Sequence, residues 1–292
     1  MSSTPGNSKR DVYDYDIRSL PDSGPAKMTS LVGRNKTVLE VGCGPGSQSR
    51  VFRDLGCRVV GLEIDPNRAE AARAFCEQVH VVNVETAQLY DLLGDAKFDV
   101  ITCADVLEHL HDPAATVRRL APFLKCGGYM LASIPNVTHA SVVFEMAHGR
   151  FEYREFGLLD DTHIRFFCRR TALAVLESAG FAVSEIHCVN RSPHDTELRP
   201  ALVGGEDSAL MNMILGRNPD SLTYQFVLKA YPAIGTDGAS THLHGIGEQL
   251  RQLEQTIKDQ QREILRLSSI VTWFETRPLL RAYRRLQASL RR

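Results

Sequence analysis

No stretch of the sequence approaches the roughly 18 consecutive apolar residues that a membrane-crossing helix requires. The opening residues, MSSTPGNSKRD, lack the apolar core of a secretory signal, so a cytoplasmic setting is expected. Cysteine is present without pattern: none of Cys43, Cys57, Cys76, Cys103, Cys126, Cys168 and Cys188 forms a C-x-x-C with another. That excludes a disulfide-stapled small domain and a cysteine zinc site, and it suits a reducing compartment. An excess of one charge is missing too. Lys and Arg number 34 against 35 Asp and Glu, a formal net charge of −1, so nothing global points to nucleic acid.

What remains is an ordinary globular composition, 43% hydrophobic and 24% charged, in 292 residues, enough for one large domain and an appendage. Residues 1–30 are polar and rich in Ser, Pro, Asp and Gly, which predicts a flexible N-terminal segment. Tyr13 and Tyr15 stand out within it, either folded over a ligand or simply docked. From Thr37 to Pro232 short apolar runs alternate with helical patterns. The runs are TVLEVG, CRVVGLEID, QVHVVNV, FDVITCA, GYMLASIP, FAVSEIHCV and SLTYQFVLKAY. Strands alternating with helices predict a mostly parallel α/β sheet covered on both faces, over residues 31–232. The last run follows a long loop, so the closing strand is expected to be antiparallel.

Residues 233–245 read as a linker. Beyond it Ile246, Leu250, Leu253, Ile257, Gln260, Ile264, Leu267 and Val271 recur at alternating spacings of four and three, the seam of a coiled coil over 246–271. A homo-oligomer through this helix is one expectation; a single helix folded back on the domain is the other. Residues 272–292 carry six arginines against one acid, with Leu279, Tyr283, Leu286 and Leu290 on one helical face. Such a basic amphipathic tail suits the inner face of a membrane or an acidic protein, or it is a solvated end to the coil.

The chemistry lies in VLEVGCGPGSQSRVF, a buried strand, a glycine-rich turn and a helix. Gly42, Gly44 and Gly46 at alternate positions let the backbone turn sharply and pass close to a ligand. A dehydrogenase fingerprint would need glycine at 47, where Ser47 stands; the pattern is E-x-G-x-G-x-G from Glu40. About 20 residues on, the second strand ends in Glu63 and Asp65, and an acid at that tip can accept both ribose hydroxyls of an adenosine cofactor. Asp65 precedes Pro66 and suits a helix cap, which leaves the ribose to Glu63. Asn83, at the end of the third strand, is placed to meet an adenine edge.

The loop, Glu63, Asn83 and the LEH of FDVITCADVLEHLHDP, in that order, resemble the class I methyltransferase family. The likeness is closest to bacterial domains with LEH after the fourth strand. The resemblance implies a Rossmann-like, seven-stranded, mostly parallel sheet that binds S-adenosylmethionine and moves its methyl group to a nucleophile. It would place Gly42, Cys43, Gly44, Gly46 and Gln48 along the cofactor, with Glu63, Ile64, Asn83, Val84 and Ala104. Asn83 departs from the family's commoner aspartate.

Methyl transfer is an in-line displacement, and a hydroxyl acceptor must also lose its proton. Asp105, Glu108 and His109 share one face if a helix has begun by Asp105. With His163 they are a candidate set for Mg²⁺ or Mn²⁺, similar to the acid-x-x-Glu-His ligands of ubiquinone-pathway and small-RNA O-methyltransferases. The other reading is that Glu108 and His109 shape the methyl pocket without metal. Residues 136–167 are too long for a plain connection and rich in His, aromatic and charged residues, as an acceptor lid would be. Within it Asp161 and His163 are candidate catalytic groups beside His109. GRFEY followed by GLLDDTHIRFF resembles methyltransferases encoded with bacterial surface-polysaccharide enzymes, and so does the TRPLLR of the tail. The resemblance therefore implies O-methylation of a saccharide or glycan precursor. A phenolic or lipid-like metabolite is the second expectation, and a non-catalytic assembly protein working through its coiled coil the third.

Overall fold

The computed structural model describes residues 16–20 and 22–233. Tyr13 and Tyr15, the coiled coil at 246–271 and the basic tail lie outside the described residues, as does the linker after Ala233. Fifteen principal elements follow in order among the described residues: α1 (Gly24–Val32), β1 (Thr37–Val41), α2 (Ser47–Asp54), β2 (Arg58–Glu63), α3 (Pro66–Ala72), β3 (Gln78–Val81) and α4 (Leu89–Leu93). Then come β4 (Phe98–Ala104), α5 (Pro113–Leu120), β5 (Leu124–Pro135), α6 (Ala140–Ala147), α7 (Arg169–Ser178), β6 (Phe181–Asn190), α8 (Gly204–Arg217) and β7 (Thr223–Pro232). Among the described residues no helix is long and apolar enough to cross a membrane.

The sheet has seven strands in the order β3-β2-β1-β4-β5-β7-β6. β1 pairs in parallel with both β2 and β4, and β7 runs antiparallel between β5 and β6. The expected mostly parallel sheet and its antiparallel closing strand are both present. Because side chains alternate along a strand, Val38 faces one layer and Leu39 the other. Val38, Val100 and Leu131 meet Met28, Val32 and Phe52 of α1 and α2. Leu39, Ile101 and Met130 meet Val117 and Leu120 of α5 and Leu176 of α7. The chain winds outward in opposite directions from β1 and β4, so the crevice beyond their carboxyl ends is open to a ligand.

Helix α1 corrects the expected extent of the flexible segment. Residues 24–30, assigned to it for their polarity, are helical and packed. Ser23 Oγ accepts the Ala26 amide as an N-cap, Pro25 stands in the first turn, and Met28 and Val32, one turn apart, are buried. A single cap and two apolar residues suffice because the partner face already exists on the sheet. The expected helix through VLEHLHDP is likewise interrupted. It forms a 3-10 turn at Leu107–His109, and α5 starts afresh where Asp112 accepts the Ala115 amide ahead of Pro113.

Two insertions rise beyond the sheet. The segment 136–167, expected to form a lid, contains α6 and is tied at its base by a bridge between Asn136 and Phe167. The β6–β7 connection carries α8, which packs Met211 and Ile214 on Ala140 and Phe144 of α6.

At the opposite end, Asp99 staples β4 to β1 by accepting the Thr37 hydroxyl at 2.6 Å and its amide at 2.7 Å. Burial opposes ionisation there, but the Thr37 donors and the Lys125 ammonium outweigh it and hold the carboxyl at about 2. A carboxyl so depressed stabilises the fold above its ordinary range, and that contribution fades as pH falls towards 2. Thr37→Val removes one donor, so acid unfolding followed by circular dichroism is expected to begin about half a pH unit higher.

Candidate active site

Gly42, Gly44 and Gly46 all adopt left-handed backbone angles, with φ of 68°, 54° and 90°. At Gly42 the geometry is doubly restrictive, since a Cβ there would stand 2.6 Å from Val106 Cγ2. Gly42→Ala is expected to destabilise the protein by about 1–2 kcal/mol from the backbone angle alone, plus the displacement of Val106. Thermal unfolding of G42A beside G42A/V106A checks this: the double variant recovers the steric part only.

Glu63 organises the turn. Its Oε2 accepts the Gly44 amide at 2.8 Å, while Oε1 accepts the Ile64 and Asp65 amides at 2.8 and 2.9 Å. The carboxylate thereby ties the glycine loop to the tip of β2 and keeps one lone pair, on Oε2, in hand for a ligand. Asp65 caps α3 through the Asn67 and Arg68 amides, the separate role its place before Pro66 implied. Glu40 sits beneath, 2% exposed, with the Ser49 hydroxyl donating to it at 2.5 Å. Burial pushes its carboxyl well up, and Ser49 offsets only part of that.

The other expected cofactor positions divide by what they present. Cys43 turns its thiol away, under Gly61 and against Ala69, Ala72 and Val79, leaving only backbone towards the crevice. Val84 likewise sends its side chain into the core. Ile64 is 65% exposed beside the Glu63 carboxylate, and Asn83 is exposed with its carbonyl accepting the Glu85 amide at 2.9 Å. Ala104 is half-buried at the end of β4, and the buried Gln48 donates to the Pro25 carbonyl at 3.3 Å. Arg119 of α5 anchors the neighbouring turn by donating to the carbonyls of Val84, Glu85 and Ala87.

Next to the crevice lies a cavity of about 570 Å³. Glu108, His109 and His163 converge on it, with their ligand atoms all within 4.8 Å of one another. The lid supplies His163 because the Ile164 and Arg165 amides both donate to the Glu108 carbonyl at 3.0 Å. Glu108 is 1% exposed, and neither carboxylate oxygen has a hydrogen-bond partner among the described residues. Burial raises its carboxyl well above the usual range, and the charges of Asp105 and Asp160 add to the effect. His163 Nε2 is 3.9 Å from Glu108 Oε1, but burial and His109 lower the imidazole to about 4, so it is neutral at physiological pH. His109 Nδ1 lies 3.1 Å from the Thr162 carbonyl. A carbonyl only accepts, so Nδ1 is the donor in that contact, and the Thr162 hydroxyl oxygen lies 3.2 Å from the same atom.

Two expected site residues are displaced. Asp105 does not share a helical face with Glu108 and His109, because its φ of 52° breaks the chain direction before the 3-10 turn begins. Its Oδ1 accepts the Ser133 hydroxyl at 3.1 Å and the Gln225 amide, and it lines the cavity but stands outside the cluster of Glu108, His109 and His163. Asp161 is exposed and outside the cavity lining; its neighbour Asp160, buried and lining the cavity, accepts the Thr162 amide and hydroxyl. Arg191, Glu197, Arg199, Tyr224 and Phe156 complete the walls. Phe156 lies in the segment 136–167 that the sequence singles out, but the other four carry no mark there. The only signal was a run of charged and polar residues in NRSPHDTELR, without periodicity.

Residues 14–186 match the family model described as a methyltransferase domain. The chain belongs to this family. The methyltransferase is 28% identical over 176 residues to the ubiquinone biosynthesis O-methyltransferase of Nitrosospira multiformis, covering 56% of this chain and 73% of that one. It is 31% identical over 175 residues to the protein of the same name from Serratia proteamaculans, covering 51% and 73%. A SAM-dependent methyltransferase from Archaeoglobus fulgidus shares the fold with a TM-score of 0.52 at 17% identity, covering 73% and 93%. The enzyme is thus an S-adenosylmethionine-dependent methyltransferase. Its glycine turn and Glu63 stand where the open sheet binds its ligand, beyond the carboxyl ends of β1 and β2.

Proposed function

We propose that this methyltransferase methylates a hydroxyl group, and that the hydroxyl belongs to a sugar of a glycan or glycan precursor. The observation that carries the first half is the convergence of His109, His163 and the unpartnered Glu108 on a cavity beside the cofactor crevice. S-adenosylmethionine, when bound, supplies the methyl group from its sulfonium. The glycine turn gives it backbone amides without intervening side chains, and Glu63 takes the ribose. Asn83 and Ile64 edge the adenine position. His109 Nε2, aimed by the Thr162 contact at Nδ1, receives the acceptor proton. The lid excludes water and brings up His163.

The donor set also fits a divalent cation. Two imidazoles and a buried carboxylate with both oxygens unmatched suit Mn²⁺, and Mg²⁺ less well, with Glu108, His109 and His163 as its ligands. Such an ion makes a neighbouring hydroxyl easier to deprotonate.

The sugar rests on the walls. Asp160, Thr196 and Gln225 each keep an acceptor atom for a ligand, and Phe156 offers an exposed ring, a combination that suits a saccharide. The resemblance of the lid to surface-polysaccharide methyltransferases points the same way. A phenolic hydroxyl is the second reading, favoured by the names of the two relatives. A screen of saccharides, sugar nucleotides and catechols with labelled methyl donor, read by mass spectrometry, decides between them. Label in catechols alone would sink the sugar reading.

A further inference from the structure

We propose that the wall of this cavity facing Glu108 and His109 recognises an anionic group on the acceptor, a phosphate or a carboxylate, through Arg191 and Arg199. The inference rests on the cavity being the acceptor site. Arg191 is held from three sides. Its amide donates to the Leu222 carbonyl at 2.9 Å, its carbonyl lies 3.0 Å from His139 Nε2, and its guanidinium stacks 4.4 Å from the centre of the Tyr224 ring. Beyond that ring contact the guanidinium has no hydrogen bond or ion pair among the described residues. Arg199 has φ of 42°, a left-handed angle that a long side chain seldom adopts, and it too lines the cavity without an acid partner among the described residues. Strain of that kind is held by its surroundings and concentrates at ligand clamps.

The carboxylates nearby do not answer these charges. Glu197 is occupied at both oxygens, by the Leu158 amide at 2.6 Å and the Tyr224 hydroxyl at 2.9 Å. Asp160 accepts the Thr162 amide and hydroxyl at Oδ1, and neither it nor Asp195 forms an ion pair with Arg191 or Arg199 among the described residues. Both arginines are exposed at the cavity, so an acceptor bearing only hydroxyls leaves their charge to water. An acceptor with a phosphate or carboxylate meets the planar forks with paired charge-assisted bonds instead. The anion would sit away from the methylated hydroxyl and set which end of the acceptor enters first.

The test is calorimetry on the full chain saturated with S-adenosylhomocysteine, titrated with pyrophosphate in one arm and D-glucuronate in the other. At least one arm is expected to show saturable binding, and the arm that does identifies phosphate or carboxylate as the source. R191Q and R199Q should each weaken that binding by at least about tenfold. R191K, keeping charge without the fork, should fall between. Affinity for S-adenosylhomocysteine should be unchanged in all three, which also shows that they are folded. Binding of neither anion, or equal binding by wild type and both glutamine variants, overturns the inference. Failure of wild type to bind S-adenosylhomocysteine overturns the methyltransferase reading instead.

Discussion

Glu63→Ala is expected to lower the affinity for S-adenosylhomocysteine by about 10²–10⁴-fold, measured by calorimetry on the full chain. A hydrogen bond from a ribose hydroxyl to a carboxylate is worth about 1.5–3 kcal/mol, and the one that Glu63 can still accept is lost. The carboxylate is also what joins Gly44 to the tip of β2, so alanine leaves the Gly44, Ile64 and Asp65 amides to water. The loop would then pay part of its ordering when ligand arrives, and the loss should lie towards the upper end of the range. Glu63→Gln keeps one acceptor oxygen but turns an NH₂ against a backbone N–H, so an intermediate loss is expected. Near-wild-type binding by E63A would falsify the ribose assignment. A parallel thermal scan separates the two effects: E63A should unfold a few degrees lower without ligand, and the difference should widen with ligand present.

That Glu63 could be found from sequence, while Arg191 and Glu197 could not, has a physical cause. A parallel strand buried on both faces is a short apolar run, and its carboxyl end is marked where the run stops. The run from Val59 to Glu63 therefore announces the strand and its tip in consecutive letters. Left-handed turns announce themselves too, because glycine is nearly the only residue that enters them freely. Asp105 is the counterexample. It adopts the same left-handed angle with a side chain, held by Ser133 and Gln225, from 28 and 120 residues away. No local pattern records that, and a helix from 105 is the natural local expectation. Asp160 and Asp161 are indistinguishable as letters. Which of them turns inward is decided by the bridge between Arg154 and Asp160. The residues of the β6–β7 connection reach the cavity only because α8 packs on α6. Helix α1 was hidden for a further reason: its neighbours in sequence are polar, and its apolar stripe is just two side chains wide.

Glu108→Gln is expected to abolish most turnover, by at least about 100-fold, while making the unliganded protein more stable. Glutamine has nearly the same shape, so packing against Leu107 and the lid is preserved. What changes is that a carboxyl group without any hydrogen-bond partner among the described residues is replaced by a neutral amide. A buried carboxylate left unmatched costs several kcal/mol unless it takes up a proton or finds a cation. His163 gives little relief, being itself neutral and 3.9 Å away. The amide escapes the larger part of that penalty, and a gain of about 1–2 kcal/mol should raise the thermal midpoint by roughly 2–8 °C. Groups that weaken the fold and serve the chemistry are what a functional site is expected to hold. Adding Mn²⁺ should raise the midpoint of the wild type and leave E108Q unmoved, because the glutamine oxygen is a poorer ligand and carries no charge. EDTA should then depress wild-type turnover. A wild type unresponsive to both Mn²⁺ and EDTA would leave the cluster as a metal-free proton relay, with His109 as its base. An E108Q protein that is active and no more stable would remove Glu108 from the chemistry altogether.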